Sequence, residues 1–185
     1  MKILPEPADS TWAELREAQI VASKNVGNAS TVVITDVGEE TDIHPTKKEP
    51  VGARLALVAR KLTYGENIVA SGPSYKSASF SGGKAVVTFG DAGQGLEARG
   101  GDLKGFAIAG ADGKFVWAAA KIVGKDKIEL SNPAVKQPSA VRFGWANYPV
   151  VNLWNKDGLP AHPFRTDNLP LTTMPKPPAP SATKK

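Results

Sequence analysis

The sequence predicts an α+β fold in three parts: a helix-strand-helix segment over residues 1–64, an antiparallel β-sandwich over 65–170, and a disordered Pro-rich tail over 171–185. Three observations predict it. Apolar residues recur at helical spacing twice before residue 64, and the period changes to two after Tyr64-Gly65. The final run Pro175-Lys176-Pro177-Pro178-Ala179-Pro180 can neither pack nor donate regular hydrogen bonds.

Thr11 followed by Glu14 has the form of a capping box, and Trp12, Leu15, Ala18 and Ala22 continue at helical spacing, so residues 11–23 read as the first helix. After the turn-forming Asn25-Val26-Gly27-Asn28, the β-branched run Thr31-Val32-Val33-Ile34-Thr35 reads as a buried, parallel-type strand. Thr46 and Glu49 form a second capping box, and Val51, Leu55, Val58 and Leu62 give one apolar face to a helix over 46–62. A parallel strand needs neighbours on both sides, so this segment is expected to lack material on its N-terminal side and to leave a sheet edge that favours self-association. Beyond it, alternating apolar positions (Phe80; Val87 and Phe89; Phe106 and Ile108; Phe115 and Trp117; Ile128 and Leu130; Val141, Phe143 and Trp145) are punctuated by Gly82-Gly83, Asp112-Gly113 and Lys125-Asp126. Short strands joined by such turns are the pattern of a sandwich.

The formal charge of +5 is misleading, because Lys176, Lys184 and Lys185 sit in the acid-free tail and leave +2 for the rest. The other basic residues are dispersed among acids, a pattern that points to neither nucleic acid nor an anionic membrane as partner. The chain has no cysteine, which excludes thiolate catalysis and sulfur-ligated metals. No stretch is apolar enough for a membrane span, and Met1 to Pro7 lacks the apolar core of a signal peptide. The protein is therefore expected to be cytosolic as it stands, or to have its true N-terminus upstream.

His44 lies in a polar loop between the expected strand and the second helix, where open α/β sheets place their active sites. A helix N-terminus favours its neutral form, which suits a general base. Asp42, two residues away, points the same way in an extended segment and could orient the imidazole. The same spacing also fits a surface loop residue among capping neighbours. Gly93-Gln94-Gly95 has no following helix pattern and reads as turn glycines, and His162 has no ligand-spaced partner for a metal. No cofactor or metal is expected. Trp117, Trp145, Tyr148 and Trp154 could form a sugar-stacking platform; Trp117 and Trp145 fall on core-type strand positions, whereas Tyr148 and Trp154 lie in loop-like Pro-, Asn- and Gly-rich segments, and Trp154 is the candidate binding residue.

Consecutive blocks of the chain resemble the sialate O-acetylesterase family: Trp12 to Gln19, Ile34 to Gly38, Asp42-Ile43-His44-Pro45-Thr46-Lys47-Lys48, Gly52 to Leu57, Val141 to Ala146, Asn152 to Pro160 and Pro163 to Asp167. The resemblance covers residues 11–168 in the family's order. It implies the C-terminal portion of a flavodoxin-like SGNH hydrolase domain, followed by a β-domain. It also implies His44 as the base of a Ser-His-Asp triad, an O-acetylated carbohydrate as substrate and a periplasmic or secreted parent. Asp42 is the first choice of acid. The family's frequent aspartate three residues before the histidine is here Thr41, which keeps Asp36, Glu39 and Glu40 open. No serine sits in a nucleophile context, and Ser71-Gly72-Pro73-Ser74 reads as a linker turn. The chain is thus expected to supply the His/Asp part of a triad whose serine comes from a missing N-terminal segment or a separate chain. The rival expectation is a carbohydrate-binding or scaffolding β-module without catalytic activity.

Overall fold

Ser10 starts the first helix. Its backbone is extended (φ −148°) and its hydroxyl accepts a hydrogen bond from the Ala13 N–H at 3.0 Å, so Ser10, and not Thr11, caps helix α1, Thr11–Asn25. The helix carries Glu14 in its first turn and Lys24 in its last, as its dipole favours, and releases into a turn where Asn28 adopts φ 59°. The computed structural model describes Pro7 and residues 9–175, so most of the expected disordered tail lies outside the described residues.

The expected strand over 31–35 does not form. The segment runs extended without a ladder and turns at 35–37, where the Val37 N–H donates to the Ile34 carbonyl. Its β-branched side chains favour extended backbone, but among the described residues no neighbouring strand pairs with them, and the sheet edge expected there does not form either. Helix α2, Glu49–Leu62, starts three residues later than its spacing predicts. Lys48 stands at the cap position without a side-chain bond, while Thr46 donates from its N–H and its hydroxyl to Glu39. Pro50 in the first turn lacks the N–H that would have gone unsatisfied there.

Ten strands follow among the described residues: β1 (Ser74–Ser81), β2 (Lys84–Gly90), β3 (Leu96–Ala98), β4 (Phe106–Ala109), β5 (Val116–Trp117), β6 (Ala119–Ile122), β7 (Lys127–Ser131), β8 (Ala140–Phe143), β9 (Leu153–Asn155) and β10 (Phe164–Arg165). All pairings are antiparallel, in sheets ordered β1-β2-β7-β6, β10-β8-β4-β5 and β3-β9. The fold is therefore mixed α+β. The Gly82-Gly83 turn closes the β1-β2 hairpin with both residues at positive φ, which glycine adopts without a Cβ penalty. Alternation then sorts each strand: Ala85, Val87 and Phe89 point inward from β2, Ile128 and Leu130 from β7, Phe106 and Ile108 from β4, Val141 and Phe143 from β8. These form one core with Leu96, Leu153 and Phe164. The Phe164 ring stacks on Tyr75 at 4.9 Å and meets Phe89 edge-on at 5.9 Å, which joins the two four-stranded sheets.

Helix α1 lies on β10 and on the segments that follow β8 and β10 through polar contacts. Glu17 accepts from Arg165 at 2.9 Å, Ser10 donates to Asn147, and an Arg16 Nη2–H donates to the Ala146 carbonyl. The buried Glu14 carboxylate accepts four hydrogen bonds, from the N–H and hydroxyl of both Thr172 and Thr173. Burial alone would raise this carboxyl, but those donors outweigh it and hold Glu14 down to about 2. Stability from Glu14 is thus complete above the ordinary carboxylate range and lost as pH falls through it toward 2. Glu14→Ala is expected to cost about 2–4 kcal/mol in urea denaturation at neutral pH, because two N–H groups and two hydroxyls lose their acceptor at once.

The apolar stripes of the two helices are mostly uncovered. On α1, Trp12, Leu15 and Val21 are about half exposed; on α2, Leu55 is 52% exposed and the side chain buried against the rest of the molecule is Arg54. Ile43 and Tyr64 are also exposed.

Candidate functional site

The loop between the turn at 35–37 and α2 is built by its acids. Asp36 takes both forks of Arg54, Nη1 and Nη2 each at 2.7 Å, and Arg54 Nη1 also donates to the Val33 carbonyl at 2.6 Å. Glu39 accepts from the Thr46 N–H and hydroxyl. Tyr148 donates its hydroxyl to the Gly38 carbonyl at 3.3 Å, tying the loop to the segment after β8. Asp42 accepts the N–H of His44 at 2.7 Å, closing a local turn.

This arrangement places the imidazole. His44 Nδ1 stands 3.8 Å from Asp42 Oδ1, with the two side chains 86% and 52% exposed. The carboxylate is adjacent to the ring and bonded to the backbone that carries it, without a direct bond to the ring. Asp36 and Glu39 are occupied by Arg54 and Thr46, while Glu40 is exposed with no such partner described. Asp42 is therefore the acid nearest to His44 in the described hydrogen-bond pattern.

The other aromatic and histidine candidates sit elsewhere. Trp154 lies in β9, opposite Glu97 of β3, with the Arg99 guanidinium stacked 3.9 Å from its ring centroid and that of Arg54 5.5 Å away. The half-buried indole thus has cations over it, and it sits in a strand where a loop position was expected. Trp145 is buried with Arg142 and Arg165 against it, and Trp117 is half-buried on β5.

Two side chains that sequence spacing left without a role prove central. Arg54 was hidden on an otherwise apolar helix face, and its one signal was a charge beside Leu55 where a stripe residue would fit. The second is His162, which packs where the linker meets β9. Its Nε2 is 2.9 Å from Ser71 Oγ, and its N–H donates to the Pro73 carbonyl. Burial pushes its pKa down to about 4; Asp91 opposes that shift and Lys24 adds to it. The Ser71 hydroxyl also donates to the Gly72 carbonyl, and the space beside the pair is only about 10 Å³, too little for a substrate. With a folded pKa below the unfolded value, His162 contributes stability that is complete above about pH 6.5 and lost as pH falls toward 4, roughly 3 kcal/mol in all. Unfolding free energies measured between pH 4 and 7.5 are expected to rise with pH, with a shallower slope in His162→Asn. An unchanged slope in that variant would remove His162 from the account.

Among the described residues, no group of three or more His, Asp or Glu side chains could hold a metal ion, and no helix is long and apolar enough to cross a membrane. No protein-family model matches the chain, and no curated protein matches it either. Among solved structures, it is similar to the crystal structure of a carbohydrate acetylesterase from Xanthomonas citri, with 49% sequence identity and a TM-score of 0.81 over 86% of this chain. The match covers 37% of that protein, so this chain spans little more than a third of the length of the acetylesterase whose fold it shares.

Proposed function

We propose that this chain supplies the histidine and the orienting aspartate of a carbohydrate O-acetylesterase of the sialate O-acetylesterase type. The observation that carries the reading is the 49% identity with a carbohydrate acetylesterase at a TM-score of 0.81. It is supported by the placement of His44 on an exposed loop beside Asp42. In this reading residues 1–64 are the C-terminal segment of a flavodoxin-like SGNH domain, and residues 65–170 are the β-sandwich appended to it. A serine from outside the chain attacks the acetyl carbon and gives its proton to His44 Nε2. The ester C–O bond then breaks, and the imidazolium returns the proton to the departing sugar oxygen. Water hydrolyses the acetyl-enzyme by the same relay. Asp42 stabilises the imidazolium, and its contact with Nδ1 shortens once the site is covered, as catalytic hydrogen bonds commonly do.

The same reading gives the uncovered faces of α1 and α2 an occupant. Trp12, Leu15, Leu55 and Leu62 would pack against the segment that carries the serine, which also restores neighbours to the unpaired run at 31–35. The test is a chimera in which this chain replaces the matching region of the Xanthomonas citri enzyme. Hydrolysis of a chromogenic acetate ester by the chimera, with none by the chain alone, is the expected result. A folded, inactive chimera would sink the reading in favour of a β-module that binds or scaffolds without catalysis.

A further inference from the structure

A second concave site lies away from His44, on the outer face of the β10-β8-β4-β5 sheet. Register places Trp117 of β5 beside Ala107 of β4, Ala107 beside Arg142 of β8, and Arg142 beside Arg165 of β10, so these four side chains share one face. Just ahead of β4 and β5, Gly105 and Phe115 border the same space. Small residues in the middle with aromatic and long side chains on either side leave a hollow, a cavity of about 270 Å³ that Pro7, Asp9, Gly113 and Trp145 also line. That is just below the ~300–1,000 Å³ of pockets for drug-sized molecules, the scale of a single ring-sized unit.

Its polar groups are prearranged. Asp167 holds Arg142 Nε at 2.8 Å and Nη2 at 2.9 Å, and the Phe115 ring lies 4.1 Å beneath the guanidinium. Arg142 Nη1 stands 3.9 Å from Asp9 Oδ1, too far for a hydrogen bond, so a donor and an acceptor face the hollow side by side. The charge of Arg142 is answered by Asp167, and that of Arg165 by Glu17 and Asp167, so Asp9 is the excess charge at the rim. An anion is thereby disfavoured. A donor and an acceptor placed together suit a pair of neighbouring hydroxyls, and the half-buried indole of Trp117 suits the C–H face of a sugar ring.

We propose that this hollow binds one neutral pyranose unit, with hydroxyls between Arg142 Nη1 and Asp9 and a ring face against Trp117. The choice of a sugar rests on the acetylesterase reading and deepens it: the site would hold an unreacting unit of the same glycan. Both places are tied to the segment after β8, which supplies Trp145 here, bonds Ser10 through Asn147, and reaches the His44 loop through Tyr148.

The experiment is a titration of the ¹⁵N-labelled chain with neutral methyl pyranosides, and with glucuronate as the anionic counterpart, read by amide and indole NMR shifts. Neutral glycosides are expected to shift Ala107, Trp117 and Trp145. Ala107→Leu, which fills the hollow, and Asp9→Ala, a change at the exposed rim, should each weaken binding at least about tenfold. His44→Ala should leave it unchanged. No shifts with any neutral glycoside, tighter binding of glucuronate, or full binding by Asp9→Ala would overturn the proposal. The acetylesterase reading fails separately: an inactive chimera leaves these shifts in place, and a hollow that binds nothing leaves turnover of a small acetate ester untouched.

Discussion

His44→Ala in the chimera is expected to lower kcat/KM for a chromogenic acetate ester by on the order of 10³–10⁴-fold, the cost of removing the base from a serine triad. The loss should fall on kcat, because the imidazole acts on a proton that moves only in the transition state. Asp42→Asn should cost less, about 10- to 100-fold: its carboxylate is half exposed and 3.8 Å from Nδ1, where water screens much of its pull on the imidazolium. Glu40→Gln, an acid of the same loop, is the control and should change nothing. Activity within about tenfold of the parent after His44→Ala would mean that another group takes the proton.

Arg54→Met is expected to be the most damaging single change to the scaffold that carries His44. The guanidinium is buried, Asp36 is mostly buried with it, and the same nitrogen that meets Asp36 holds the Val33 carbonyl. Removing one partner of such a pair leaves a desolvated carboxylate without compensation, a cost of about 3–5 kcal/mol. Amide exchange should show where the loss falls. Val33 to Val37 should lose protection first, because that turn is held to α2 through Arg54, while Ile128 and Leu130 in the sheet core keep theirs. Adding Asp36→Leu should recover part of the stability, since no orphaned charge remains. A double variant as unstable as the sum of the two single ones would show that the pair is not coupled.

What could be read from the residues follows from which forces are local. Helix α1 and the β2, β4, β7 and β8 strands were legible because their apolar positions keep one period over their whole length, and the Gly82-Gly83 turn because only glycine accepts that backbone cheaply. The 31–35 run was misread because a β-branched sequence specifies extended backbone but not a partner, and the ladder that makes a strand is non-local. The caps slipped for a similar reason: Ser10 and Thr11 are equally good formers of the bond, and the chain path before the helix decided between them. Short strands such as β3 and β9, at three residues each, carry too few alternations to show a period. In the candidate site, His44 and Asp42 were visible as neighbours in a polar loop. The pairing of Asp36 with Arg54 across 18 positions was not, nor was the hollow over Ala107, which exists because three strands align a small residue between large ones.

The contacts that fasten α1 also order events during synthesis. Glu14 waits for hydroxyls 158 and 159 residues later in the chain, and Glu17 for an arginine 148 residues later. At about 5–20 residues per second, a ribosome needs on the order of 10–30 s to deliver them. Through that interval the helix has its N-cap but none of its docking partners, and a 15-residue helix alone is only marginally stable in water. Helix α1 is thus made long before the contacts that fix it, and its apolar Trp12, Leu15 and Val21 are open to chaperones through that interval.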